Sequence, residues 1–79
     1  MANNISGHRI RIARSMQKPP ITQKDLAARM QVEGLNIVDV TISSIELGDR
    51  SVSDLELVTF AKVLNVTTSW LLEETDNPR

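Results

Sequence analysis

Residues 22–48 read TQKDLAARMQVEGLNIVDVTISSIELG, and the fold is decided there. Thr22 followed by Asp25 has the spacing of a capping box, with the shorter Asp in the usual place of Glu. Leu26, Ala27 and Met30 then form one stripe at helical period. From Gln31 to Val38 the period breaks around Gly34, so this stretch reads as a connector. Its Val32, Leu35, Ile37 and Val38 are too apolar for a free loop and are expected to pack down. A short helix follows from about Asp39 to Leu47, with Ile42 and Ile45 facing inward and Gly48 suited to a left-handed C-terminal cap. Two short helices joined this way have a helix-turn-helix layout. The outward positions of the second are Asp39, Val40, Thr41, Ser43 and Ser44. Short hydroxyls suit base edges, and Val40 or the Thr41 methyl suits a thymine methyl.

Upstream, Ile5, Ile10, Ile12, Ala13 and Met16 fall in one stripe of a helix running from Ser6 to Gln17, with Arg11, Arg14 and Lys18 on the other side. Pro19-Pro20 stops it. Downstream, Ser53 and Glu56 make another capping box. Leu57, Phe60, Ala61 and Leu64 stand at i, i+3, i+4 and i+7, and Asn65 is a plausible stop. Thr67 or Thr68 can cap a last short helix holding Trp70, Leu71 and Leu72. Those three close the core or make a dimer patch. Residues 74–79 read as a frayed tail. The expectation is one all-α, five-helix domain over residues 1–79, ordered from about 5 to 73.

Composition narrows the function. The 79 residues have a net charge of −1 and no Cys, so they offer no disulfide, thiolate zinc site or Cys nucleophile. The single His8 cannot build a His-rich metal site. There is no Gly-rich phosphate loop and no HExxH, and Glu73-Glu74 point about 100° apart on a helix. The chain is therefore expected to be no enzyme and to take no metal or cofactor. No apolar run approaches the ~18 residues of a membrane span and no leader opens the chain, so a cytoplasmic location is expected. The charge is unevenly placed: residues 1–30 carry +5 and residues 31–79 carry −6. That asymmetry suggests a basic face beside an acidic one.

The string ITQKDLAARM, followed by TISSIELGDRSVSDLELVTFAKVLNVTTSWLL, resembles the phage-repressor and Cro type of helix-turn-helix regulators, the XRE family. The resemblance covers about residues 5–73. It implies a sequence-specific, double-stranded-DNA-binding regulator, a repressor, working as a homodimer. It places Gln23 on a phosphate, as helix N-termini favour. Thr22, Arg11, Lys24 and Arg50 are further phosphate candidates, with Lys18 a weaker one. Asp39, Val40, Thr41, Ser43 and Ser44 fall at or near base edges, and Arg14 with Glu46 matches the family's internal ion pair. Three features depart from the pattern. Leu26 and Ile42 stand 16 positions apart, so the turn carries an insertion. Asp39 faces a polyanion at the start of the reading helix, and Leu47 replaces a position often polar in relatives. Asp39 and the acidic second half motivate an alternative: the same fold used as a protein-interaction module without DNA binding.

Overall fold

The computed structural model describes residues 3–79, all of whose regular structure is helical: α1 (Gly7–Met16), α2 (Gln23–Val32), α3 (Asp39–Glu46), α4 (Asp54–Leu64) and α5 (Thr68–Leu71). Met1 and Ala2 of the expected 1–79 span lie outside the described residues.

Local chemistry sets the starts and stops. The Thr22 hydroxyl accepts from the Asp25 N–H while the Asp25 carboxylate accepts from the Thr22 N–H, and Ser53 and Glu56 repeat the exchange for α4. Each box satisfies two donors that a helix start would otherwise leave free. Thr67, not Thr68, caps α5 by accepting from Trp70 N–H. Asn65 ends α4 in the left-handed region at φ 57°, and Gly48 follows α3 at φ 83°.

Ile10, Ala13, Leu26, Ala27, Met30, Ile42, Ile45, Phe60, Ala61, Leu64, Trp70 and Leu71 make the common core, joined by Ile21 and Ile37. α1 packs on α3, α4 and α5, and α2 packs on α3 and α4. Trp70 and Leu71 are buried in this core, so they close it rather than offering a dimer patch. Leu72 falls just beyond α5 as its C-cap.

Several expectations are corrected. α2 runs to Val32, shortening the connector, and stops where Gly34 takes φ 93°. Of the four apolar residues expected to pack down, only Ile37 is buried and Leu35 partly so. Val32 is 84% exposed and Val38 49%. Leu26, Ala27 and Met30 already fill the inner face of α2, and Val32 lies two positions off that stripe. Polar bonds hold the connector instead: Gln31 Nε2 donates to Ile37 O (2.7 Å) and Leu35 N to Met30 O (3.1 Å). On α1, Ile5 precedes the helix and is exposed, as is Met16.

Both ends of the described residues are tied down. Asn3 and Asn4 donate from their side chains to Asp49, Ile45 and Arg50 carbonyls, and Asn4 Oδ1 accepts from Gly7 N–H. At the other end, Arg9 stacks on Trp70, with its guanidinium carbon 5.0 Å from the ring centroid. The same guanidinium donates to the carbonyls of Trp70 and Thr75 and to the Asp76 carboxylate. Thr67 N–H donates to Pro78 O. The segment read as frayed is thus hydrogen-bonded back onto the body.

Candidate nucleic-acid interface

Three helices meet at one carboxylate. Arg14 of α1 donates from Nε to Glu46 Oε2 (2.8 Å) and from Nη2 to Oε1 (3.0 Å), a two-pronged fork. Gln23, the first residue of α2, donates from Nε2 to the same Oε1 (3.0 Å). The remaining Arg14 nitrogen donates to Ile21 O (3.0 Å). The Glu46 side chain is only 4% exposed, so this network lies in low-dielectric surroundings. The hydrogen bonds that Arg14 donates to Glu46 hold the Arg14 guanidinium pKa above its ordinary value. Arg14, read in sequence with Arg11 and Lys18 as part of an outer basic face, therefore turns inward. The result locks the end of α3 to α1 and to the start of α2.

α3 presents its other side to solvent. Asp39 and Val40 are exposed, while Thr41, Ser43 and Ser44 are half-buried. Leu47, just past the last turn, is also exposed and shares their edge. Asp39 Oδ1 accepts from Val40 N–H (3.0 Å). A shallow groove between α2 and α3 is lined by Lys24, Ala27, Ala28, Gln31, Val38 and Asp39.

The five phosphate candidates divide by whether their polar atoms are already engaged. Thr22 is occupied by its capping box and Gln23 by Glu46. The Thr22 bonds hold the Asp25 carboxyl below the usual carboxylate range. Arg50 makes a fork of its own to Glu56 (3.0 and 2.9 Å) and donates to Ser51 O. That fork lowers the Glu56 pKa, raises that of Arg50 and anchors the start of α4. Arg11 and Lys24 are exposed and have no ion-pair partner among the described residues. Lys18 and Arg29 are in the same position. Arg29 went unread in sequence, although it is a basic residue off the inner stripe of α2.

The ion pairs sort the uneven charge. Arg9 pairs with Asp76, Arg14 with Glu46, Arg50 with Glu56 and Lys62 with Glu33. Arg11, Lys18, Lys24 and Arg29, all from the basic first part of the chain, keep their charge facing solvent. Among the described residues there is no cluster of three metal-ligating side chains, and no helix is long and apolar enough to cross a membrane.

In comparison with known families, the helix-turn-helix family model fits residues 10–71, from within α1 through the end of α5. The chain belongs to that family, the XRE or Cro-type helix-turn-helix domains, and α2 and α3 are its helix-turn-helix. Membership supports the role of a DNA-binding transcription regulator, in a family that is not typically enzymatic. No curated protein and no solved structure matches the chain.

Proposed function

We propose that this helix-turn-helix chain is a sequence-specific, double-stranded-DNA-binding repressor that acts in the cytoplasm as a homodimer and reads the major groove with α3. The observation that carries the reading is the Glu46 network. A helix that reads base edges must hold its angle to the segments that grip the backbone, and Glu46 joins α3 to α1 and to the N-terminus of α2. The unpartnered cations supply the second requirement. Arg11, Lys24 and Arg29 contact phosphates and set register, while Asp39, Val40, Thr41, Ser43 and Ser44 meet the bases. The Gln23 N–H lies at a helix start, where partial positive charge favours an anion. Arg50 reaches a phosphate only while sharing its guanidinium with Glu56. A two-fold dimer puts its two copies of α3 into major grooves roughly 34 Å apart.

Retardation of a genomic duplex mixture across a salt series tests this. Affinity falls linearly with log salt, with a slope of about −0.9 for each neutralised phosphate. A folded chain that retards no duplex at low salt rules the proposal out. In that outcome the fold serves a protein partner, a use that Asp39 on the exposed edge of α3 would favour.

A further inference from the structure

The edge that α3 presents is unusual for a base reader in what it lacks. The helix reads DVTISSIE and carries no Asn, Gln, Arg or Lys. Those are the side chains that grip adenine or guanine with two hydrogen bonds. Branched aliphatic groups stand there instead: Val40 is 71% exposed, its neighbour Val38 49%, and Leu47 71%. Single exposed aliphatics are ordinary on a protein surface. Val40 and Leu47 stand seven positions apart on one side of the helix, with Val38 at its start, and these three exposed aliphatics beside a filled core have no partner among the described residues.

Charge indicates what covers that edge. Lys24 lines the same groove as Val38 and Asp39 and has no ion-pair partner among the described residues. Exposed aliphatics beside a free cation suit the major groove, where thymine offers a C5-methyl group between two rows of phosphates. Val38, Val40 and Thr41 also lie at the N-terminal end of α3, the part of a recognition helix that meets base edges.

We infer that Val40 packs on the C5-methyl of a thymine, and that methyl contact rather than two-pronged hydrogen bonding sets the site preference of this chain. Asp39 keeps one carboxylate oxygen beyond the Val40 N–H, free to accept from a cytosine N4 amino group. The edge is thereby specialised for pyrimidines. The inference rests on the DNA-binding reading above.

The test replaces thymine by deoxyuridine, which removes the methyl and leaves the pairing edge intact. A duplex selected by the full chain from a random pool is remade with one substitution at a time, and binding is measured at fixed salt. Burying one methyl group contributes about 0.8 kcal/mol, or about fourfold in affinity. The expected result is one thymine per half-site whose replacement weakens binding about fourfold. Val40→Ala, at an exposed position and with an unchanged melt, binds the parent duplex more weakly and loses nothing further at that thymine. Salt-dependent binding that no deoxyuridine substitution alters overturns methyl reading and leaves DNA binding standing. Val40→Ala retaining the full discrimination overturns the assignment to Val40. A folded chain that retards no duplex from the pool overturns both readings.

Discussion

Gly7 approaches the backbone of Ile45 so closely that a Cβ on Gly7 would overlap the Ile45 carbonyl oxygen. The same oxygen accepts from the Asn4 side chain and from Gly48 N–H, so the first turn of α1 sits on the carbonyls that end α3. α1 therefore fixes α3 at two places, by close approach here and by the Arg14 fork one residue along at Glu46.

Gly7→Ala tests the first. In an open helix, Gly to Ala gains up to about 1 kcal/mol of propensity. At Gly7 the obstacle is a backbone carbonyl that cannot rotate away, and forcing a methyl into a packed site costs about 1–3 kcal/mol. The clash exceeds the propensity gain, so the variant has a lower urea midpoint than the parent. A midpoint equal to the parent's or above it would mean that the two helices have room to separate.

Arg14 and Glu46 test the second. Removing one partner of a buried pair costs about 3–5 kcal/mol, because the other charge is stranded, whereas replacing both by apolar groups of similar size restores much of it. Arg14→Met is thus expected to destabilise strongly and Arg14→Met with Glu46→Leu to recover most of the loss, read from urea midpoints. The recovered protein should still bind a selected duplex less tightly, because Gln23 no longer ties α2 to α3. Wild-type affinity in the double variant would show that the network stabilises without orienting.

What the sequence disclosed follows the range of the interactions. Thr22 with Asp25, and Ser53 with Glu56, bond across three positions, so the residues that bond are the residues that spacing selects. The inner faces of α2, α3 and α4 were likewise legible, because Leu26, Ile42, Ile45, Phe60 and Leu64 recur at a helical period. Where no period exists, hydrophobicity alone misleads: Ile37 is buried and Val38, one residue on, is not. Cations are harder still. Arg9, Arg11 and Arg14 share one helix, yet one is tied to the tail, one is free and one is locked to α3. Helical period does not separate them: the family resemblance pointed Arg14 toward Glu46, while nothing in the sequence joined Arg9 to Asp76, 67 positions away. Asn3 and Asn4 escaped notice for the same reason, since their acceptors lie at Ile45, Asp49 and Arg50.

The Arg50–Glu56 fork predicts how stability changes with acid. Hydrogen bonds from Arg50 lower the Glu56 pKa in the folded chain below the about 4.3 of a free glutamate. A carboxylate with a depressed folded pKa contributes stability above its unfolded value and loses it as pH falls through the folded one. The melting temperature should therefore decline from about pH 4.3 downward. Glu56→Gln should start lower at neutral pH and decline less over that window. Asp25, also depressed by its Thr22 bonds, adds a decline of the same sign that persists in Glu56→Gln. Parallel pH curves for parent and variant would remove Glu56 as a contributor.

Lys24 and Arg50 were equivalent phosphate candidates in the sequence, and the structure separates them. Lys24 is exposed with no ion-pair partner among the described residues, so removing its charge leaves nothing stranded. A surface substitution of this kind stays within about 0.5 kcal/mol of the parent in stability. If Lys24 neutralises a phosphate, Lys24→Ala lowers the magnitude of the salt slope by about 0.9. The loss of affinity is then similar for every duplex, because a phosphate contact carries no base preference. Arg50→Ala behaves differently on both axes. It releases Glu56, a side chain 14% exposed that also accepts from Ser53 N–H at the start of α4, so the melting temperature falls. Its effect on the salt slope is smaller than that of Lys24→Ala, because Glu56 already neutralises much of the guanidinium charge. Melts and salt series on the two variants decide it. Equal slope changes with an unshifted Arg50→Ala melt would mean that the fork opens freely in solution and that Arg50 is as available to DNA as Lys24.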